Sequence, residues 1–295
     1  MRSQIVVVGA SGRVGRLVVA SWGGATGNGP HCVAQFRHPE HCSAAERVGQ
    51  AFLHWDPASG AADLEASVKA SGPFSAMIVL AGATPGRSAD LAANRVVAEQ
   101  CLRAASEVEI PRVLVASSSA VYGVSKSGEP FRESDDCRPV SDYGRAKLEM
   151  EACCEEWRER GLEVNCLRIG NVAGADALLL NLAAADSQTR LEIDIFPDGE
   201  GPIRSYIGPQ SLSGVLKVLS KSAQSLPAVI NLAAPHPISM ISLADAAGAP
   251  WKARPIMENK SQKITLDCNV LRSLYKFKSF ESSAEEVVRQ WRDVK

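Results

Sequence analysis

The sequence predicts an α/β protein built on a doubly wound parallel sheet, and three stretches carry that expectation. Ile5-Val6-Val7-Val8 is a continuous β-branched run that leads into Gly9-Ala10-Ser11-Gly12-Arg13-Val14-Gly15 and then into a helical pattern through Leu17, Val18 and Val19. Further strand-like runs alternate with helical ones up to residue 111, as in βαβ units. The run Arg112-Val113-Leu114-Val115-Ala116 then continues into Ser117-Ser118-Ser119, placing hydroxyls at a strand's carboxyl end, where open α/β sheets bind ligands.

Taken in order, Ile5–Val8 reads as a strand covered on both faces, because it lacks polar alternation. In the loop that follows, Gly9 allows a tight turn, Gly12 lets backbone approach a pyrophosphate, and Gly15 lets helix and strand pack closely. The pyrophosphate would rest on free N–H groups at the helix start, around Ser11, Gly12, Arg13 and Val14.

His31–Phe36 is the second strand, after a Gly-rich loop at 23–30 that is long for such a connection. A site specific for NAD offers an acid to the ribose at this strand's end, but this chain has Arg37. Arg37 and Arg13 either pair with the 2′-phosphate of NADP or are solvated surface arginines. NADP is the preferred cofactor on this reading, with NAD second.

Ala51–Trp55 is a third strand, and Asp56 at its end either accepts from an adenine amino group or is an ordinary loop acid. Ala76–Leu80 is a fourth strand. It opens into Ala81 and Gly82, small enough for backbone to lie along the adenosine ribose and the nicotinamide side. Leu91–Ala105 is helical by period, with Asn94 near its start.

Tyr143 and Lys147 stand four apart in Tyr-Gly-Arg-Ala-Lys, which puts them on one face of a helix. An ammonium beside a phenol favours the phenolate and lowers its pKa from about 10. Such a Tyr can exchange a proton with a substrate alcohol or carbonyl, while a Ser from the neighbouring strand end holds the same oxygen. Singly these motifs are weak, and the glycine loop upstream is what gives them weight.

Bulk composition narrows the setting. The 295 residues are 45% hydrophobic and 22% charged, enough for a large core, and the net charge of -1 has no block of like charges that would suit nucleic acid or a membrane surface. The 8 cysteines form no Cys-x-x-Cys pair and there is no His spacing suited to zinc, so reduced thiols and no metal are expected. Ile5–Val8 is too short for a signal segment, and the apolar stretch at Leu178–Leu182 is short and broken by Asn181. A soluble cytoplasmic protein is expected.

These residues together resemble the extended short-chain dehydrogenase/reductases, the NAD-dependent epimerase/dehydratase group that includes UDP-glucose 4-epimerase. The resemblance rests on Gly9–Gly15, Leu80-Ala81-Gly82, Asn94, the run Ser117–Gly123 and Tyr143–Lys147, in that order. It implies a Rossmann sheet, with Ser118 holding the substrate oxygen and Tyr143 as acid/base. Lys147 would bind the nicotinamide ribose and depress the Tyr143 pKa, and Asn94 joins the cofactor residues. It further implies a homodimer formed through helices near 91–105 and 145–158.

Downstream, Leu162–Ile169 is a strand, and Arg168–Gly174 resembles the family's Arg-x-x-Asn-Val-Tyr-Gly-Pro segment, with Ala173 in place of Tyr and no Pro. Substrate candidates are Ser119, Asn171, Asn181 and Arg204. Arg204 matches a family position that contacts a nucleotide-sugar diphosphate, although Ser205 follows it instead of Asp. It would bind that phosphate or cap a domain interface. Residues 1–174 would form the dinucleotide-binding domain, completed by segments near 203–220 and 229–247. A small interleaved substrate lobe would comprise 175–202 and 248–295.

The family's dehydratases carry Asp-Glu where this chain has Ser119-Ala120, which disfavours dehydration. A Cys/His double epimerisation is disfavoured because no His lies between His54 and His236. Epimerisation through a transient ketone, or simple carbonyl reduction, remains, on a sugar nucleotide or a related small carbonyl compound. The competing reading is a catalytically silent NADP-binding sensor or scaffold.

Overall fold

The computed structural model describes residues 4–23, 31–47, 50–86, 89–125, 128–184, 190–257 and 262–295. The glycine-rich stretch expected as a long loop at 23–30 lies almost wholly outside them. The first half runs β1 (Gln4–Val8), α1 (Arg13–Gly23), β2 (His31–Phe36), α2 (Pro39–Arg47), β3 (Phe52–His54), α3 (Ala62–Ser71), β4 (Phe74–Val79) and α4 (Ala93–Glu107). It continues with β5 (Arg112–Ser118), α5 (Asp142–Glu159), β6 (Glu163–Ile169), β7 (Asn171–Val172) and α6 (Ala177–Ala184). The remainder is β8 (Leu191–Ile195), β9 (Ile203–Arg204), β10 (Tyr206–Ile207), α7 (Pro209–Ser220), β11 (Val229–Leu232), β12 (Ile238–Ser239), α8 (Met240–Ala247), β13 (Trp251–Pro255), β14 (Lys263–Ile264), α9 (Asn269–Leu274) and α10 (Ala284–Asp293).

Seven parallel strands form the central sheet in the order β11-β6-β5-β4-β1-β2-β3. The order reverses between β1 and β4, which opens a crevice at their carboxyl ends, the expected ligand position in a doubly wound sheet. The unalternating apolar runs follow from burial on both faces. Ile5 and Val7 join one core with α1, α7 and α10, while Val6 and Val8 join a second with α4 and α5. Each such side chain contributes about 1.5–3 kcal/mol by leaving water.

Three small sheets lie beyond the main one: β7 with β10, β9 between β12 and β14, and β8 with β13. A buried polar network ties β6 and β11 of the main sheet to α5 and to the segments around Phe131 and Asp267. Arg168 makes a two-pronged ion pair with Glu151 and donates to Tyr122 Oη at 3.0 Å, which donates to Asn231 at 2.7 Å. Asn231 in turn donates to the carbonyls of Phe131 and Asp267. Every member of the chain finds partners, which is the condition for such groups to be buried.

The position where the family pattern has Tyr is held by Ala173, fully buried, its N–H bonded to the Ile207 carbonyl at 3.0 Å. The next residue, Gly174, has φ +84°, and a Cβ there would fall 2.1 Å from the Trp291 ring of α10. Only glycine accommodates both that backbone and that neighbour.

Candidate active site

The glycine turn is built as its residues dictate. Gly9 takes φ +84°, and a Cβ on it would lie 2.5 Å from the Ala81 backbone nitrogen. Gly12 N donates to Gly9 O at 2.9 Å and α1 starts at Arg13 with no acid in its first turn. The leading N–H groups of a helix lack intrahelical acceptors and favour an anion. Gly15 faces the Gly9 carbonyl so closely that any side chain would collide with it.

A cavity of about 440 Å³ opens over this turn, lined by Gly9, Ser11, Gly12, Arg13, Val14, Arg37, Ala81 and Gly82 among others. Among the described residues that line it, Arg13 and Arg37 are the charged ones, both cationic. A turn with glycine at 9, 12 and 15, a helix start free of acids and two arginines together fit a dinucleotide, whose phosphates are the anions. Gln35 also lines this groove: its Oε1 accepts from Gly9 N at 2.9 Å and its Nε2 donates to the Trp55 carbonyl, pinning the turn to β2 and β3. The sequence reading missed Gln35. The signal was a lone polar residue inside the otherwise apolar end of β2.

Two cofactor candidates are placed differently from expectation. Asp56 lines neither cavity; its Oδ1 accepts from Ala58 N at 3.1 Å and caps a short 3₁₀ turn. A carboxylate two residues upstream of a free N–H readily caps in this way. Asn94 is also outside both cavities, and is 2% exposed. Its Nδ2 donates to Ala83 O and Leu91 O, both at 3.0 Å, and its Oδ1 lies 2.5 Å from where a Gly82 Cβ would be. Asn94 holds the 81–84 segment from behind; it does not reach into the groove.

A second cavity, about 420 Å³, adjoins the first and shares Arg13, Gly82 and Thr84 with it. Ser118, Tyr143 and Lys147 all line it. Ser118 ends β5, where its Oγ accepts from Ala120 N at 3.2 Å. Ser141 caps α5 by accepting from Gly144 N at 3.1 Å, which fixes the turn carrying Tyr143. One turn later Lys147 Nζ donates to the Ala116 carbonyl at 2.8 Å and lies 6.0 Å from the Tyr143 ring centre.

The electrostatics differ from expectation at one point. Burial raises the Tyr143 pKa, opposed by the Ser118 hydroxyl and by the charge of Arg13. Lys147 does not depress it, because its ammonium is turned to the Ala116 carbonyl. Its own pKa falls to about 8, the charged form being penalised by burial. The cation that acts on the phenol comes from the glycine turn. Arg13 reaches across the groove, donating to Thr84 Oγ1 at 2.5 Å and to the Ala175 carbonyl at 3.3 Å.

Of the substrate candidates, only Asn171 lines the second cavity. Ser119 lies outside it, opening a 3₁₀ turn with its carbonyl accepting from Tyr122 N. Asn181 is exposed on α6, away from both cavities. Arg204 lines neither: its guanidinium donates to the Gln262 carbonyl at 2.6 Å and to Gln262 Oε1 at 2.9 Å. Ser205, where the family has Asp, is buried and accepts from Leu266 N, so no carboxylate turns the arginine elsewhere. Thr84 and Asp176 are cavity residues that the sequence reading did not single out.

The fold and this pairing of groove and cavity define a nicotinamide-dinucleotide enzyme of the open α/β type. The family model described as NAD dependent epimerase/dehydratase family matches residues 5–201, and the chain belongs to that family of enzymes. The chain is 44% identical over 66 residues to the uncharacterized protein y4nG of Sinorhizobium fredii, a match that spans 22% of this chain and only 16% of that relative. The UDP-Glc/GlcNAc 4-epimerase of Campylobacter jejuni superposes with a TM-score of 0.77 at 18% identity, over 99% of this chain and 98% of that one. The UDP-glucuronic acid 4-epimerase of Bacillus cereus, solved with UDP-glucuronic acid and NAD, gives 0.75 at 18% identity, over 99% and 98%. At such identities the likeness establishes the fold. Among the described residues no helix is long and apolar enough to cross a membrane.

Proposed function

We propose that this chain moves a hydride between a nicotinamide dinucleotide, NADP by preference, and a carbonyl or hydroxyl carbon of a sugar-type substrate, with Tyr143 as acid and base. The observation that carries this is the convergence of Ser118, Tyr143 and Lys147 on a cavity continuous with the glycine-turn groove. When bound, the nicotinamide supplies or takes the hydride. The turn at Gly9–Val14 holds the pyrophosphate, and Arg37 takes the 2′-phosphate, there being no acid among the described residues of that groove to favour a free ribose hydroxyl; Arg13 is turned to Thr84 and Ala175 at the other end.

The protein's own groups handle the proton. Ser118 accepts from Ala120 N through a lone pair, which leaves its hydroxyl hydrogen to donate to the Tyr143 oxygen or, with substrate bound, to the substrate oxygen. Tyr143, with its pKa raised by burial, is protonated at neutral pH and donates to the oxygen as a carbonyl is reduced. In the oxidising direction it must first lose that proton, which Ser118 and Arg13 assist. Lys147, fixed on Ala116 O beside Gly82, presents its remaining hydrogens to a ribose. Leu80, Ile169 and Val172 keep the cavity walls apolar.

The quaternary reading is a homodimer through the outer faces of α4 and α5, where Val96 is 49% exposed. A cytoplasmic location agrees with eight unpaired cysteines. The test of the chemistry is Tyr143→Phe in the NADPH-loaded protein. Carbonyl-dependent NADPH oxidation falls by roughly 10²–10⁴-fold while NADPH binding is unchanged. A variant that turns over as wild type ends the proposal.

A further inference from the structure

The two cavities differ in charge. The dinucleotide groove has Arg13 and Arg37 and no acid. Among its described lining residues the catalytic cavity has two cations, Lys147 and Arg13, the latter reaching across to the Ala175 carbonyl, and one acid, Asp176, on the wall made by residues 169–177. The residues expected to bring positive or amide groups to the substrate, Arg204 and Asn181, line neither cavity.

Asp176 stands between β7 and α6. Its Oδ2 accepts from Gly174 N at 3.2 Å, its Oδ1 accepts from Leu179 N at 3.1 Å, and Oδ1 lies 3.5 Å from Tyr206 Oη. Burial raises its pKa, and backbone N–H groups of residues 174–179, not a cation, offset that rise. Both oxygens serve the backbone, and the single acceptor oxygen of an Asn would meet only one of these two N–H groups. Oδ2 keeps a further lone pair, and the residue lines the same space as Ser118 and Tyr143.

We infer that Asp176 is a specificity-determining residue, which accepts a hydrogen bond from a substrate hydroxyl or ammonium and excludes a substrate carrying a carboxylate at that end. The inference rests on the hydride-transfer reading above. A second carboxylate brought against Asp176 meets like charge, and the cavity's two cations are engaged elsewhere, Lys147 on the Ala116 carbonyl and Arg13 on Thr84 and the Ala175 carbonyl.

The test uses two matched pairs on the NADP-loaded protein: glucose with glucuronate, and UDP-glucose with UDP-glucuronate. Binding is read by tryptophan fluorescence, together with turnover. In wild type the uronate binds at least tenfold more weakly than its partner in both pairs. Asp176→Asn, which keeps an acceptor for Leu179 N and loses the one for Gly174 N, brings each ratio close to one, whatever the accompanying fall in melting temperature. A cap-only role predicts a lower melting temperature with the ratios unmoved, and that result overturns the inference. So does a wild type that prefers the uronate, or one that binds none of the four. A shifted ratio with no turnover on either pair refutes hydride transfer and leaves the selectivity standing. Turnover with fixed ratios refutes the selectivity alone.

Discussion

The cofactor side and the substrate side of this crevice are built by different means. On the cofactor side the decisive features are backbone shapes: Gly9 at positive φ against Ala81, Gly15 against the Gly9 carbonyl, and the bare start of α1. On the substrate side they are side chains whose directions depend on distant partners. Arg204 is held by Gln262, Ser205 by Leu266, and Gly174 is set by Trp291 of the last helix. Backbone requirements restrict residue type and leave a mark in the chain; long-range side-chain partnerships leave almost none.

The largest effect that sharpens this contrast is expected at Lys147. Lys147→Met should lower turnover by a hundredfold or more through loss of the ribose contact, yet leave folding intact or improved. The folded pKa of about 8 lies below the ordinary 10.5, so at pH 7 both folded and unfolded chains hold the proton and the burial cost of up to ~3 kcal/mol is fully present. The lost bond to Ala116 O is worth only about 1 kcal/mol. Between pH 8 and 10.5 the unfolded chain retains a proton that the folded one has shed, so this group's contribution to stability rises with pH. Thermal melts at pH 7 and pH 10 should show the variant's advantage shrinking, and an advantage that grows refutes the assignment.

A smaller effect is expected at the far end of the groove. Arg37→Glu should weaken NADPH binding by roughly 10-fold or more, given the strength of charge-assisted phosphate pairs, and leave NADH binding equal or tighter. Titration of both nucleotides by fluorescence decides it, and equal losses for the two would remove Arg37 from the 2′-phosphate. The smallest effect belongs to the substrate side. Arg204→Ala should change KM by less than about twofold, because a residue outside the cavity adds little to binding. A tenfold rise in KM for a diphosphate-bearing substrate, absent for the free sugar, would return Arg204 to the site.

The legibility of the fold follows the same division. The alternation of buried strands and helices, the glycine turn and the Tyr143–Lys147 spacing were all readable, since each depends on neighbours within a few residues. The surroundings of Asp56 and Asn94 were not readable because short polar side chains turn to nearby backbone groups, Ala58 N in one case and the Ala83 carbonyl in the other. Arg13 carries an influence on the phenol that spacing assigned to Lys147, because the reach of its guanidinium to Thr84 and Ala175 is a tertiary fact. Asp176 sits in a segment where the family pattern lapses, so nothing in the pattern pointed to it.

Trp291 fills the space that a side chain at Gly174 would need, two residues before Asp176. The tail of the fold therefore acts as a template against which the 169–177 wall is moulded. Anyone grafting the 169–177 segment onto a related scaffold would have to bring the final helix along. Otherwise the transplanted wall would relax into a shape with a different appetite for charge.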